Sequence, residues 1–402
     1  MIRIACCADL QLDAHALTGG LKILDPQTGL NQRLIDTWKC WDAFCSGAIV
    51  QRTDLQIMAG DVFEHPKPTP TENGAFIRPM NRLLDSDCNG PTLMCSGNHD
   101  QPFSLVEDDA LEPFTAYRPQ RLKVFTRPGS FFLREAGADG EDLQVFILPY
   151  PRKAAMSLRE ENASLTPQEI SQRIAKGLEA ILDGFRAEIN PTVPSLLVAH
   201  LHVTGSQISE AQPQVAIEVP MVHPSAFRGF TFALLGHIHK RQEFRGDDYH
   251  ALYPGSLDRR DFGEEREEKS WSLVTLENTK RGWLTTSVDE HPLPARVFRT
   301  VTPHQVLHWQ VDDDLTTDNP ILRVKGRVTP EEAEAVLKEV AGWPLPVANA
   351  LDVIQESRAR DSTMTGDLAP EKALRGYFER QGTDGEELAA LMGLHHDLAG
   401  KE

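Results

Sequence analysis

Residues 5–15 read ACCADLQLDAH: a short apolar run that ends at an acid, followed by a second acid and a histidine. The longer run IRIACCA and the later run DLQIMAG both stop at an acid or a glycine, a pattern typical of buried strands. Between them, NQRLIDTWKCWDAFCSGAIV has its apolar residues at helical spacing, at Leu34, Trp38, Trp41 and Phe44. A strand, a helix and a strand in this order predict a βαβ unit and an α/β fold.

The composition is that of a globular protein long enough for two or three domains. The chain has 402 residues, of which 40% are hydrophobic and 25% charged. An acid stands already at Asp9, too early for the apolar core of a signal peptide, and no stretch approaches the ~18 apolar residues of a membrane-spanning helix. The six cysteines form no CxxC pair, which indicates reduced thiols. We therefore expect a cytoplasmic protein without a membrane partner.

The net charge of −18 restricts the classes of partner. A general nucleic-acid binder is usually basic, so this charge argues mildly against a stand-alone DNA-binding protein. Bound metal ions and a local basic surface can offset the repulsion from DNA at one site. The charge is therefore compatible with a nuclease.

Strand-like and helix-like segments alternate to about residue 290. The runs PTLMCSG, LKVFT, FFLRE, LQVFILP, SLLVAH and TFALLGH predict strands, and HKRQEF, YHALYPGS, SWSLVTL and GWLTTSV predict antiparallel ones. Thr166, Pro167 and Glu169 form a capping box at the start of a long helix. The predicted apolar stripe of that helix is Ile170, Ile174, Leu178, Ile181 and Phe185.

The composition changes near residue 290. The stretch EHPLPARVF (290–298) is rich in proline and predicts a linker. A strand and a helix follow, the helix capped by Thr329, Pro330 and Glu332, and the end of the chain is mostly helical. We predict a catalytic domain at 1–290, a small α+β domain at 291–365 and a helical tail at 366–402.

Five short polar motifs stand at the ends of predicted strands. Taken singly each is weak, because a lone histidine after a strand is more often a core residue and a lone Gly-Asp is usually a turn. Together they indicate a site, since the carboxyl ends of such strands meet at one edge of an α/β sheet, where ligands bind. The motifs are Asp9-x-Gln11, GDVFE (60–64), GNHD (97–100), AHLH (199–202) and GHIH (236–239).

This mixture of side chains suits two divalent metal ions that act on a phosphoester. A carboxylate is needed to bridge the ions, and Asp61 is the natural candidate. Imidazole and oxygen ligands together favour Mn, Fe or Zn over Ca. On a regular strand His237 and His239 would face one side, so we predict a turn beginning at Gly236 that aims each ring differently.

These motifs, in this order, resemble those of the calcineurin-like metallophosphoesterase superfamily. The flanks GDVFEHPKPTP, SGNHD, LPYPRK, LGHIHK and YPGSLDRRDFGEEREEKSWSLV resemble the SbcD-type DNA-repair nucleases, which pair with an SbcC-type coiled-coil ATPase. The resemblance implies a four-layer sandwich of two mixed sheets flanked by helices, with an α+β capping domain and a helical tail. It also implies two divalent ions, with Mn²⁺ expected first and Fe²⁺, Zn²⁺ or Mg²⁺ as alternatives.

Carried over position by position, the resemblance implies a role for each motif. One ion would be bound by Asp9, Asp61 and His239, and the other by Asp61, Asn98, His200 and His237. His99 would be the general acid or leaving-group stabiliser, and Asp100 would hold its ring. Arg152 is a candidate phosphate contact or a plain surface residue. Glu64 would support the site from outside the ligand set or contact the substrate, and His65 is equally a substrate contact or a surface residue.

Gln11 departs from the family pattern, which has a histidine ligand there. Its carbonyl oxygen is a weaker ligand than imidazole, and it would bind the metal directly or hold a metal-bound water. Asp13 and His15 form another Asp-x-His pair, but they stand further from the strand and are expected in a loop. We prefer His200 to His202 as the ligand because it directly follows the apolar run SLLVA.

Three functions stay open at this level. The first is a metal-dependent DNA nuclease, exo- or endonucleolytic, in an SbcCD-like repair complex. The second is a phosphatase or phosphodiesterase of small substrates, which would not need the region after 290. The third is a weakly active scaffold that binds an ATPase, with Gln11 having emptied one metal site. The tail residues expected to dock the ATPase are Leu374, Tyr377, Phe378, Leu388, Leu391, Met392 and Leu394. A homodimer is a further expectation from the resemblance.

Overall fold

The computed structural model describes residues 1–86, 90–102, 107–117, 120–137, 140–151, 164–209, 212, 220–308, 319–354, 370–380, 382–383 and 385–399. The strands are β1 (Ile2–Cys7), β2 (Leu55–Met58), β3 (Thr92–Cys95), β4 (Leu122–Phe125), β5 (Gly129–Leu133), β6 (Leu143–Leu148), β7 (Ser195–His200), β8 (His202–Val203), β9 (Met221–Val222), β10 (Phe232–Gly236), β11 (Gln242–Gly246), β12 (Tyr249–Tyr253), β13 (Ser270–Thr279), β14 (Gly282–Pro292), β15 (Phe298–Val301), β16 (Ile321–Val328) and β17 (Val347–Val353). The helices are α1 (Gln32–Val50), α2 (Pro70–Asp85), α3 (Glu112–Thr115), α4 (Pro167–Glu188), α5 (Pro303–His308), α6 (Pro330–Val340), α7 (Pro370–Arg380) and α8 (Gly385–Ala399).

Two mixed sheets pack face to face, and helices cover the outer face of each. The first sheet has the order β14-β13-β1-β2-β3-β4 and the second the order β11-β12-β10-β7-β6-β5. Side chains from both inner faces, among them Ile4, Ile57 and Val198, form one buried core between the sheets. Helices α1 and α2 pack on the first sheet and α4 on the second. The four-layer sandwich that the resemblance implied is therefore confirmed.

Strand β1 lies in the middle of this sandwich and is buried on both faces. Ile4 and Cys6 face the core between the sheets, while Ala5 and Cys7 face the helices. This position explains the nearly continuous apolar run, because a strand covered on both sides has no solvent face for polar side chains. β1 pairs in parallel with β2, as the βαβ pattern predicted.

The strands that precede the five motifs end side by side. β1, β2 and β3 are neighbours in the first sheet, and β7 and β10 are parallel neighbours in the second, with Gly236 paired to His200. Parallel neighbours end at the same edge of their sheet. The fold thus brings residues from distant parts of the chain to one place.

A third sheet, β15-β16-β17, packs on the segment that leads into β13. Phe298, Ile321 and Ala348 bury the ring of Phe262, with Leu21 alongside. Phe262 and Phe298 meet edge to face, with ring centroids 5.1 Å apart. The third sheet is therefore packed against the segment that carries Phe262.

By compactness the chain divides into two units, Met1–Gly326 with Glu334–Leu351, and Arg327–Ala333 with Asp352–Glu402. The first contains the sandwich and the contacts of the third sheet with Phe262. In the second, the predicted capping box of Thr329 and Glu332 is present, and α7 and α8 contact each other. The domain boundaries at 290 and 365 stay predictions. No helix within the described residues has both the length and the apolar character needed to cross a membrane.

Two details differ from the sequence-based expectations. β14 runs to Pro292, so its pairing with β13 continues into the stretch predicted as a linker. His291 stacks there on Trp271, with ring centroids 4.2 Å apart, which anchors the end of the strand. In α4 the predicted cap at Thr166 is present, but Leu182 is buried and Ile181 only partly. Position 182 is four residues after Leu178 and so lies closer to the middle of the buried stripe.

Candidate metal centre

Four ligand atoms converge where β2, β3, β7 and β10 end. Asn98 Oδ1 lies 2.8 Å from His237 Nδ1 and 3.1 Å from His200 Nε2. Asp61 Oδ2 lies 3.3 Å from the same His200 nitrogen. Metal–ligand bonds of about 2.1 Å place neighbouring ligand atoms about 3 Å apart, so these spacings are close to those of one coordination sphere. The oxygen and imidazole donors also match the predicted class of ion.

His200 is held through one ring nitrogen, while the other faces the oxygens of Asn98 and Asp61. The residue is fully buried, and its Nδ1 donates to the carbonyl oxygen of Ala59 at 2.7 Å. That bond leaves Nε2 as the ligand atom. Burial lowers the pKa of His200, but the Asp61 carboxylate outweighs it and raises the pKa to about 9. A cation that binds here must therefore displace a proton at neutral pH.

Asp9 and His239 reach the same edge but are less closely gathered. Both Asp9 oxygens accept a hydrogen bond from the His237 N–H at 3.1 Å. Among the described residues, Asp61, His200 and His237 have ligand atoms all within 4.8 Å of one another, whereas Asp9, Asp61 and His239 form no such group. The ligand atoms of the predicted metal position beside Asp9 are therefore further apart than those of the position around Asn98.

Gln11 is buried and its backbone is fixed by two hydrogen bonds. Its N–H donates to the Asp61 carbonyl at 2.9 Å, and its own carbonyl accepts from Arg260 Nη1 at 2.8 Å. No described residue hydrogen-bonds its side-chain amide. The amide oxygen therefore remains available as a ligand, while direct ligation stays a prediction.

Left-handed backbone is concentrated at this site. The φ angles of Asp9, Gln11, Asp61 and His237 are 52°, 48°, 54° and 105°. Such conformations cost on the order of 1 kcal/mol or more for residues with a Cβ, and they persist where the surrounding structure imposes them. At His237 the angle forms the turn predicted after Gly236: the His237 ring meets Asn98, and the His239 ring meets Glu264.

The expected role of Asp100 in holding the His99 ring is wrong. Asp100 is fully buried, and its oxygens accept hydrogen bonds from the N–H groups of Val62, Phe63 and Gly97 at 2.9–3.1 Å. The side chain turns inward because these buried amides need an acceptor. Asp100 therefore ties the GDVFE loop to the GNHD loop and supports Asp61 and Asn98 through the backbone. Burial, reinforced by the Asp61 and Asp109 carboxylates, raises the pKa of Asp100 to about 8.

Glu64 is the residue that contacts the His99 ring. His99 Nδ1 lies 2.9 Å from the Glu64 carbonyl oxygen and 3.6 Å from its Oε1, while the His99 N–H donates to Asp61 Oδ1 at 2.8 Å. Arg260 Nη2 donates to Glu64 Oε2 at 2.8 Å. Burial lowers the pKa of His99, but the Asp61 and Glu64 carboxylates raise it above its usual value.

The other residues considered from the sequence differ in their exposure. His65 is exposed, as is His15, and Asp13 is partly buried. Arg152 lies outside the described residues. His202 is buried, and its ring centroid is 5.7 Å from that of His237. Burial lowers the pKa of His202 to about 4, so its ring is neutral at physiological pH.

Three residues at the site were missed. Tyr150 covers the His237 ring, with centroids 5.4 Å apart. Gln212 donates to the His237 carbonyl at 2.8 Å and accepts from the His239 N–H at 3.0 Å. Glu264 accepts from His239 Nδ1 at 3.0 Å. Glu264 and Tyr150 stood in quoted flanks but were not singled out there, and no feature of the sequence marked Gln212.

Fold and ligand set define a metallophosphoesterase, and the family comparison agrees. A sequence model of the calcineurin-like phosphoesterases matches residues 2–241, more than half of the chain. The chain belongs to this family, whose members are phosphoester hydrolases and typically bind two metal ions.

Among solved structures, the chain is remotely similar to TT1561 of Thermus thermophilus, with 11% identity and a TM-score of 0.37 over 68% of this chain and 93% of that one. A dimetal phosphatase of Danio rerio has 9% identity and a TM-score of 0.38 over 73% and 96%. GAP50 of Plasmodium, an anchor in the inner membrane complex, has 10% identity and a TM-score of 0.37 over 89% and 98%.

Gly60 provides a direct test of the converging ligands. A Cβ at this position would lie 2.2 Å from His200 Nδ1. We expect Gly60→Ala to displace His200 and weaken Mn²⁺ binding by about 100-fold, measured by calorimetric titration. Gly20→Ala is the matched control, because Gly20 also has a positive φ, of 80°, but its Cβ would meet nothing within 4 Å. Equal Mn²⁺ affinities in the two variants would contradict the geometry.

Proposed function

We propose that this protein is a metal-dependent DNA nuclease, the nuclease subunit of an SbcCD-like repair complex. One observation carries the proposal: a single short segment joins the third sheet to the metal centre. Phe262 is buried in that sheet, and Glu264, two residues later, bonds His239. A sheet built onto the site in this way suits a long substrate that extends beyond the scissile bond. A phosphatase of small substrates would have no use for it.

The chain's own residues suit phosphodiester hydrolysis. Two divalent ions, when bound, would stabilise the charge on the phosphoryl oxygens and lower the pKa of an attacking water. Asp61, Asn98, His200 and His237 would hold one ion, and Asp61, Asp9 and His239 the other, with Gln11 as a further ligand. Mn²⁺ is the ion that we expect.

His99 would donate the proton to the leaving oxygen. Its Nδ1 is engaged by Glu64, which leaves Nε2 as the nitrogen that can face a substrate. The raised pKa of the ring, caused by Asp61 and Glu64 against the effect of burial, favours the protonated form that this role needs.

Two arginines provide local positive charge that would partly offset the repulsion between the acidic chain and DNA. Arg260 lies beside Glu64 and Gln11, and Arg323 lies over the Phe262 ring, 4.5 Å from its centroid. Arg260 is at the metal centre and Arg323 is on β16 of the third sheet, so each could contact a phosphate of a longer substrate. The alternative of a weakly active scaffold assumed that Gln11 had emptied a metal site. The metal position around Asn98 does not depend on Gln11, so the alternative does not apply to that position.

The nuclease proposal is tested by comparing two substrates at equal Mn²⁺. We expect the protein to degrade linear DNA faster than it hydrolyses bis(p-nitrophenyl) phosphate, and Asn98→Ala to lower both rates by at least about 100-fold. Asn278→Ala is the control, because Asn278 is exposed on β13, away from the site. Hydrolysis of the small ester without any cleavage of DNA would contradict the proposal.

We also propose that the helical tail docks an ATPase partner. On α7 and α8, Tyr377 and Leu394 are 52% and 62% exposed, whereas Leu388 and Met392 are buried. Exposed apolar side chains on short helices are suited to a coiled-coil partner. We expect Tyr377→Ser with Leu394→Ser to lower the affinity for a purified SbcC-type coiled coil by about 10-fold or more. Undiminished binding after deletion of 370–402 would refute the docking role.

A further inference from the structure

Glu264 is a fully buried carboxylate next to a metal ligand, with both oxygens engaged. Oε1 accepts from His239 Nδ1 at 3.0 Å and from Ser209 Oγ at 3.2 Å. Oε2 lies 2.8 Å from Lys269 Nζ and accepts from the Arg260 N–H at 3.1 Å. A buried carboxylate is costly unless it is paired and hydrogen-bonded, and here both conditions hold.

Pairing with Lys269 does not by itself explain Glu264. Lys269 Nζ has a second carboxylate, Glu267 Oε2, at 2.9 Å, and also donates to Ser256 Oγ at 2.9 Å. For His239 Nδ1, in contrast, Glu264 is the only partner among the described residues. The particular contribution of Glu264 is therefore made to His239.

The histidine ligands His200 and His239 are supported differently. His200 Nδ1 donates to a neutral carbonyl oxygen, that of Ala59, whereas His239 Nδ1 donates to a carboxylate. A carboxylate that accepts from Nδ1–H fixes the tautomer and makes Nε2 a stronger ligand. His239, which is predicted to bind the same metal ion as Gln11, therefore has the stronger hydrogen-bond acceptor at its Nδ1.

We propose that Glu264 is a positioning residue for the metal ion beside Asp9: it holds His239 as the Nδ1–H tautomer and strengthens its Nε2, which offsets the weak donor at Gln11. The proposal rests on the two-metal centre of the family and not on the DNA substrate. Its readout is metal binding without any phosphoester, so its failure is distinguishable from failure of the nuclease proposal.

The test titrates metal-free protein with Mn²⁺ by calorimetry and electron paramagnetic resonance. We expect Glu264→Gln to weaken the looser ion by about 10–100-fold and to leave the tighter ion within about 2-fold. The spectrum at two equivalents should then change from that of a coupled pair to that of a lone Mn²⁺. Glu267→Gln is the matched control: it removes a carboxylate from the same lysine without touching His239, and both affinities should stay unchanged.

A double variant separates positioning from stability. Glu264→Gln leaves Lys269 with one carboxylate fewer, whereas Glu264→Gln with Lys269→Met removes both members of the buried pair. We expect the double variant to recover thermal stability, while its affinity for the looser Mn²⁺ ion stays as low as in Glu264→Gln. Recovery of wild-type Mn²⁺ affinity in the double variant, or no loss in Glu264→Gln, would overturn the proposal.

The tautomer of His239 can also be measured in the wild-type protein, so this test does not depend on the folding of a variant. In Zn²⁺-loaded protein with ¹⁵N-labelled histidine, His239 should carry its proton on Nδ1 and its metal on Nε2. A proton on Nε2 of His239 would equally overturn the proposal.

Discussion

The contacts of Asn98 Oδ1 with His200 Nε2 and His237 Nδ1 connect the two sheets of this protein at the metal centre. Asn98 follows β3 of the first sheet, whereas His200 ends β7 and His237 follows β10 of the second. Three polar atoms so close together repel one another unless protons or a cation lie between them. The backbone must also approach closely: a Cβ on Gly97 would lie 2.1 Å from Asp61 Oδ1, and one on Gly236 would lie 1.9 Å from the Ala59 carbonyl oxygen. Gly97 and Gly236 are therefore required both by the close packing of the backbone and by the convergence of the polar side chains.

Several predicted ligands are supported by hydrogen bonds with groups outside the ligand set. Ala59 holds His200 through its carbonyl oxygen, Glu264 holds His239, and Asp100 binds the amides of the two loops that carry Asp61 and Asn98. Backbone hydrogen bonds between the loops hold the left-handed residues: the Asp9 N–H donates to the Gly60 carbonyl at 3.0 Å and the Gln11 N–H to the Asp61 carbonyl at 2.9 Å. Rigid support of this kind fixes ligand directions before a metal arrives, which lowers the cost of binding. The position beside Asp9 differs in having a weaker donor, Gln11.

Much of this arrangement could be predicted from the sequence, because strand-end motifs in an α/β fold must meet at one edge. The order of the motifs, the four layers and the turn at Gly236 all follow from periodicity, glycine position or resemblance. The partners of Asp100 were not predicted: the resemblance implied a contact with the His99 ring, whereas the Asp100 carboxylate accepts from the buried amides of Val62 and Gly97. Glu264 was hidden for another reason: it is 25 residues from His239, and only the packing of Phe262 turns the segment back to the site. Contacts of this kind depend on tertiary structure and leave no local pattern.

The central claim is that one metal position is pre-formed around Asn98 and the other, beside Gln11, is looser. The most direct measurement is a calorimetric titration of metal-free protein with Mn²⁺, repeated on Gln11→His. The account predicts two ions per chain with unequal affinities, and a gain of about 10-fold or more for the looser ion alone when histidine replaces Gln11. Fewer than one ion per chain, or two equal affinities that do not respond to Gln11→His, would contradict it.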